Sequence, residues 1–430
     1  MEIERLYALF RNSVGVTTDS RTVNKGEIFF ALKGPSHDGN RHAVTALNAG
    51  ALAAVVDDPT LIGERIIVVD DVLETMAALA ACHRHRLQMP VIGVTGTNGK
   101  TTTKELLTAV LSKQGRVHST PGNFNNHIGV PLTLLSAPDD AVFLVVEMGA
   151  NHMGEIAALC ATAMPTHGII TNIGTAHIEG FGSFENVRKA KSELYQSLKS
   201  TGGTIIYNDA NPILSGMAAG ISHAVPYSAP RGHSFRAVPD EEEGMLLRIR
   251  AEIDDTEYRF ATGLFGLYNI DNVRAAMAAG LLFDIPAEEI IDAVSSYRPA
   301  NNRSQVTETG RNTVIRDAYN ANPSSMEKSI ASFATLKADK KMVILGDMLE
   351  LGSESVPGHA AVIRQLRQLG DIKTVLIGPH FREAAVEFPA TLFGSSEAAA
   401  EWLRSESPEG YTILVKGSRG MMLEKVYPLL

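Results

Sequence analysis

The sequence predicts an α/β protein of three domains, built around a central parallel sheet with a small antiparallel insertion. Three observations carry this prediction. Short β-branched runs alternate with helical stretches along the whole chain, the pattern of βαβ units. A Gly-rich segment with a Lys-Thr pair follows one apolar strand and opens a helix. The chain has 430 residues, and at about 150 residues per domain that length suggests three.

Each block supports the pattern in turn. In the first, residues 28–32, 53–56 and 66–69 are β-branched or apolar runs, and 71–87 reads as a helix. Met89-Pro90 breaks that helix, because proline disfavours helical backbone in the residue before it. The second block has strands expected at 91–95, 142–146, 168–173 and 204–207. Near its end, Leu247, Ile249, Ala251 and Ile253 alternate with Arg248, Arg250, Glu252 and Asp254, which predicts a hairpin with one wet face turning at Asp254-Asp255. The pattern loosens around 297–303, and a third block follows with strands expected at 313–315, 342–345, 374–377 and 412–415. The expected domains are therefore 1–88, 89–299 and 300–430.

Composition excludes several classes. With 39 Lys and Arg against 48 Asp and Glu, the net charge of −9 leaves no basic footprint for nucleic acid. No apolar run approaches the roughly 18 residues that span a bilayer, and the acid-bearing N-terminus does not read as a secretory signal. Two cysteines, Cys82 and Cys160, cannot build a disulfide framework or a Cys-based zinc site. The expected compartment is the cytosol.

The strongest chemical signal is Gly93-Val-Thr-Gly-Thr-Asn-Gly-Lys-Thr-Thr-Thr103. Glycines at 96 and 99 let the backbone N–H groups of Gly96, Thr97, Asn98, Gly99 and Thr102 crowd around phosphate oxygens at a helix N-terminus. Lys100 can reach the outer phosphates, and the Thr101 hydroxyl can ligate Mg²⁺. The strict pattern GxxxxGK[ST] places glycine at 94, where this chain has Val94. A Gly-rich turn with an incidental lysine is the bland alternative, but strand, loop, Lys-Thr and helix stand in the required order.

Other candidates are weaker alone. Glu147 ends a buried strand where open α/β sheets bind ligands, so it suits a nucleotide-bound metal; a solvated strand end is the alternative. His177 follows the 168–173 strand, and Lys189 and Lys191 lie on a helix over 184–198; composition reads these as a structural histidine and a solvated face. Asn269 and Asn272 suit an adenine edge or, equally, a helix start. Asp317, Asn320 and Asn322 precede Pro323, which can open a helix, and they are more polar groups than one cap requires.

Together these segments resemble the Mur ligases, the ATP-dependent amide-forming enzymes of the peptidoglycan stem peptide. The family's phosphate loop GTNGKTT stands at 96–102, and the pattern DxYNANPxSM stands at 317–326. Further matches are GNFNNHIGVP at 122–131, LGDMLELG at 345–352, DSR at 19–21 and FFALKG at 29–34. The resemblance implies an N-terminal domain holding a UDP end, through Ser20 and Arg21, a central ATPase and a Rossmann-like C-terminal domain. It implies two Mg²⁺ ions, with Thr101 and Glu147 at the first and His177 reaching the second, and a carbamylated lysine at Lys191. Lys100, Lys191 and His177 would then be the catalytic group. Asn269 and Asn272 match an adenine-side pair, Arg303 an ATP contact and Asp317 a ribose contact, while Asn125, Asn126, Asn320, Asn322 and Asp347 would lie near the substrates. Two positions depart from the family: Arg316 and His127 stand where acids are common.

The 317–326 segment matches the family member that acts last. That implies transfer of ATP's γ-phosphoryl group to the carboxylate of a UDP-N-acetylmuramoyl-tripeptide, giving an acyl phosphate that D-alanyl-D-alanine attacks. Both substrates, ATP and Mg²⁺ are the expected ligands, with no nucleic acid, no membrane insertion and a monomer as default. The alternatives are a Mur-type ligase adding a single amino acid, which the absence of DNPR disfavours, and a nucleotide-driven switch.

Overall fold

The computed structural model describes residues 2–174, 178–240, 244–370 and 372–430. His177 and the Thr175-Ala176 pair before it lie outside the described residues. Among the described residues three principal sheets form, in chain order. The first is parallel and four-stranded, ordered Val16–Thr17, Ile28–Phe30, Ala53–Val56, Ile66–Val68. The helix Val72–Arg84 follows it, started by the Asp71 carboxylate accepting from the Glu74 N–H. Arg84 is buried at its end and donates to the carbonyls of Ala163 and Met164, both at 3.0 Å, joining the first unit to the second.

The second sheet has six parallel strands, ordered Ala224–Pro226, Thr204–Tyr207, His167–Ile170, Val91–Thr95, Phe143–Glu147, Val117–Ser119. Every residue of Val91–Thr95 and Phe143–Glu147 is buried, as expected for strands covered on both faces. One face packs on a core shared with the first unit, through Leu6, Phe10, Met76, Val146 and Leu194. The other packs on the helix Lys100–Leu111 and the Ala-rich helix Ile270–Leu282.

The expected hairpin forms as Leu246–Ile253 paired with Thr256–Phe265. The left-handed φ of +48° and +65° at Asp254 and Asp255 makes its turn. The insertion is larger than the alternation predicted. Phe235–Pro239 adds a strand on one side, and on the other Leu264 pairs with Gln305, so the insertion continues edge to edge into the third sheet. That continuation escaped the sequence because the joining strand, Gln305–Glu308, is polar and only half-buried. The result is one nine-stranded sheet, antiparallel through Gln305–Glu308 and then parallel in the order Thr313–Asp317, Thr412–Lys416, Lys341–Gly346, Lys373–Ile377, Thr391–Phe393. Helices such as Pro323–Ala334 and Ser355–Arg367 cover one face of its parallel half, and Ser396–Glu406 the other. Among the described residues no helix is long and apolar enough to cross a membrane.

Candidate active site

The site begins where Val91–Thr95 ends. Val94 is still in the strand, paired with Glu147 on one side and Ile169 on the other, so no turn glycine is needed there. The turn starts at Gly96, whose φ is +141°, and closes at Gly99, whose φ is +82°. At both positions a Cβ has no room. It would stand 2.1 Å from the Thr171 hydroxyl at Gly96 and 2.3 Å from the Asn272 amide oxygen at Gly99. The loop is tied down on its other side. The Thr97 and Asn98 N–H groups donate to the Asn172 backbone and side-chain oxygens, each at 3.0 Å, and the Thr171 hydroxyl donates to Asn98 O at 2.6 Å.

Lys100 opens the helix and folds back over its own loop, donating to the carbonyls of Gly96 at 2.8 Å and Thr97 at 3.1 Å. Desolvation there holds its ammonium below the usual lysine range, with Arg303 adding to the effect and the Glu147 carboxylate opposing it. Thr101 is buried on the next position of the helix.

Glu147 is placed by its own N–H, which donates to the Thr120 hydroxyl at 2.9 Å. One carboxylate oxygen accepts from Asn125 Nδ2 at 2.8 Å, while the other is buried with no hydrogen-bond partner among the described residues. A buried carboxylate oxygen left unpaired is costly, and it is the arrangement a divalent cation would complete. Among the described residues no three His, Cys, Asp or Glu side chains gather around a metal position. The donor set that the resemblance implies is instead a threonine, one glutamate and a lysine.

That lysine, Lys191, lies on the helix Phe184–Thr201, 2% exposed rather than on a solvated face. Its amine donates one long bond, 3.3 Å, to Ala150 O and stands 5.3 Å from the Phe181 ring centre. Burial, then the nearby charge of Lys100, pulls it down to about 7. A neutral amine in a shielded site is what carbamylation requires.

The third unit reaches directly into the loop. Asn322 caps the helix Pro323–Ala334 through its side-chain oxygen, and its amide nitrogen donates to Asn98 Oδ1 at 2.8 Å. Asn98 Nδ2 donates in turn to the Ser324 hydroxyl at 3.0 Å. At the junction of the second and third units lies a cavity of about 610 Å³. Its walls include Thr97, Asn98, Gly99, Lys100, Thr101, Thr102, Asn125, Asn126, Glu147, Asn269, Asn272, Arg303, Asp317, Asn320 and Asn322.

Within that set the polar groups are already ordered. Asn272 donates to Asn269 Oδ1 at 2.8 Å and accepts from the Thr103 hydroxyl at 3.1 Å, while Asn269 donates to Phe265 O and Ser304 Oγ. Asp317 accepts from the Ser304 N–H at 3.0 Å and from Lys416 Nζ at 2.7 Å. The Arg303 guanidinium stacks 3.6 Å above the Tyr319 ring, with its Nε buried and unpartnered. Asn126 accepts from the N–H groups of Ile128 and Gly129, and Asn320 from its neighbour Ala321.

Five described residues of the predicted site are not among those lining this cavity: Gly96, at the turn before it, Lys191, which lies behind the lining Ala150, and Ser20, Arg21 and Asp347. Ser20 and Arg21 lie on the first unit, where Arg21 is exposed and paired with Asp19 at 2.7 Å. Asp347 is fully buried, and its two oxygens accept from the N–H groups of His380 at 3.0 Å and Phe381 at 2.9 Å, at the start of the helix Pro379–Ala384. A carboxylate engaged in this way orders its own loop rather than meeting a dipeptide. Sequence reasoning missed Asn172, Tyr268, Ser304, Lys416 and Arg419, which also line the cavity. Strand-end polarity at Lys416 was the available signal; the others sit in loops or single 3-10 turns without a local pattern.

The chain matches three family descriptions: Mur ligase family, catalytic domain, at 13–92; Mur ligase middle domain, at 94–280; and Mur ligase, glutamate ligase domain, at 302–419. It is similar to the UDP-N-acetylmuramoyl-tripeptide--D-alanyl-D-alanine ligase of Bacillus subtilis, with 35% identity over 96% of this chain and 92% of that protein. Among solved structures it is similar to MurF from Acinetobacter baumannii, with a TM-score of 0.88 and 28% identity over 99% of this chain and 97% of the other. MurF ligase from Thermotoga maritima in complex with ADP gives a TM-score of 0.83 and 26% identity over 98% and 97% of the two chains.

Proposed function

The chain belongs to the Mur ligase family and is an ATP-dependent ligase; from that premise we propose that it joins D-alanyl-D-alanine to a UDP-N-acetylmuramoyl-tripeptide. The observation that carries this reading is the bonding of Asn98, in the phosphate loop, to Asn322 and Ser324, in the segment that distinguishes this ligase by sequence. It couples the place where phosphate is handled to the loop expected to meet the dipeptide.

The residues derive a sequence of events. The N–H groups of Gly99, Lys100, Thr101 and Thr102 hold ATP's phosphates at the N-terminus of the helix Lys100–Leu111, while those of Thr97 and Asn98, expected to join them, are spent on Asn172. Lys100 exchanges its loop carbonyls for phosphoryl oxygens and neutralises charge as the γ-phosphoryl group passes to the tripeptide carboxylate. ADP leaves, and the dipeptide amine attacks the acyl phosphate through a tetrahedral intermediate, releasing phosphate. Contact between the second and third units keeps water from that intermediate. The unpaired Glu147 oxygen fits Mg²⁺, which Thr101 and Glu147 would hold, with carbamylated Lys191 and His177 toward a second ion. Such ions supply neutralisation of phosphoryl charge. Asn269, Asn272, Arg303 and Asp317 form the nucleoside side, with Ser20 and Arg21 reserved for the UDP end. We divide the chain into working domains at 88 and 299 and place it in the cytosol as a monomer.

Phosphate release is measured with ATP, Mg²⁺ and each tripeptide form, with and without D-alanyl-D-alanine. Release that needs both acceptors, with a pentapeptide product by mass, is expected. Response to a single amino acid instead would move the protein to another ligase step. Near-native release by Lys100→Ala would remove the phosphate-loop assignment.

A further inference from the structure

The dipeptide of the proposed reaction carries a carboxylate as well as the attacking amine, and nothing assigned so far receives it. Among the described residues the cavity wall presents five Lys and Arg side chains: Lys100, Arg303, Lys328, Lys416 and Arg419. Three are committed. Lys100 serves the phosphate loop, Arg303 is stacked on Tyr319, and Lys416 is buried against Asp317 at 2.7 Å. Lys328 is an exposed point charge on the helix Pro323–Ala334.

Arg419 differs from both groups. Its guanidinium is mostly exposed, and its ion pair with Glu424 is a loose 3.7 Å between solvated side chains. Such a pair contributes little and yields readily to a better partner. The backbone beneath it is firmly held. Neighbouring Ser418 is buried and knits its own loop to two others at this end of the third sheet. Its N–H donates to Asp347 O, its hydroxyl accepts from the Leu349 N–H at 2.9 Å, and the same hydroxyl reaches Ala321 O at 3.4 Å. Arg419 therefore stands on a rigid platform beside the Asn320–Asn322 segment. A planar guanidinium also matches a carboxylate with two parallel hydrogen bonds, which an ammonium cannot.

We propose that Arg419 receives the terminal carboxylate of the dipeptide acceptor and so selects a free dipeptide acid. The inference rests on the ligase reading above. The reach is consistent: an extended dipeptide spans about 7 Å, and a sphere of the cavity's volume is about 10 Å across.

The test compares D-alanyl-D-alanine with its C-terminal amide on the wild type, Arg419→Ala, Arg419→Lys and Lys328→Ala. Wild type is expected to prefer the acid by more than tenfold in kcat/KM. Arg419→Ala should raise the dipeptide KM while leaving the KM for ATP unchanged, and should use acid and amide almost equally. Arg419→Lys should restore part of the preference, and Lys328→Ala should keep it. Retained preference in Arg419→Ala, or its loss in Lys328→Ala, would overturn this inference alone, since dipeptide-dependent product would still form. Wild-type turnover indifferent to the dipeptide would overturn the ligase reading and this inference together.

Discussion

Lys191 shows how far a single side chain can depart from its sequence appearance. Its helix carries Glu185, Arg188, Lys189 and Glu193, so a solvated face is the natural reading. The structure buries Lys191 and pulls its amine down to about 7. The unfolded chain holds that proton up to its ordinary value near 10.5, so between those pH values the unfolded state binds more protons than the folded one. Stability therefore rises with pH across that window, and the burial penalty is fully present below it. In metal-free, CO₂-free buffer, Lys191→Met should be more resistant to urea than wild type at pH 7. The gap should shrink toward pH 10. A gap that widens with pH would contradict the burial argument. With ATP and Mg²⁺, the same variant should lose turnover by about 10²-fold or more, the scale seen when one charge-stabilising group is removed from an active site.

At the scale of elements, the phosphate loop works because two glycines adopt backbone and space that no other residue fits. At Gly99 an added Cβ meets Asn272, itself held by Asn269 and Thr103. Gly99→Ala should strain the loop by at least about 1 kcal/mol through its left-handed backbone alone and displace Asn272 as well. Weakened ATP binding by calorimetry, with a helical and strand content unchanged by circular dichroism, is the expected outcome. Intact affinity would show that the loop tolerates the side chain. The sequence marked this element well, because strand, glycines and helix follow one another locally. It marked the three-strand insertion only in part. Alternation revealed the hairpin, but the Leu264–Gln305 pairing that fuses two sheets is a contact between a buried strand end and a half-buried polar strand.

Across the whole molecule, the second and third units are joined at the Leu264–Gln305 strand pairing and meet again, over the loop 96–102, through Asn98, Asn322 and Ser324. Net hydrogen-bond contributions of about 0.5–1.5 kcal/mol each make this junction worth roughly 1–3 kcal/mol of preference for the closed arrangement. Asn98→Ala should therefore expand the nucleotide-free protein, read as a larger radius of gyration by small-angle scattering. Its melting temperature should fall only slightly, since the buried cores are untouched. An unchanged radius with an unchanged KM for both acceptors would remove the junction from the mechanism.

The sequence by itself determined the α/β class, the strand–loop–helix order around 91–111 and the family, because each is written in local spacing or in contiguous motifs. Asn322 belongs to this group as well: its place before Pro323 predicts the cap it makes. Only the tertiary structure decided which polar side chains remain available. Asp347 and Glu147 both end buried strands in the sequence. Yet Asp347 is satisfied by the N–H groups of a helix some thirty residues onward, while Glu147 keeps one oxygen unpaired and faces the cavity. Likewise Lys416 and Arg419 are three residues apart, one spent on Asp317 and the other open to the cavity. Those differences come from partners far away in the chain, and no local pattern encodes them.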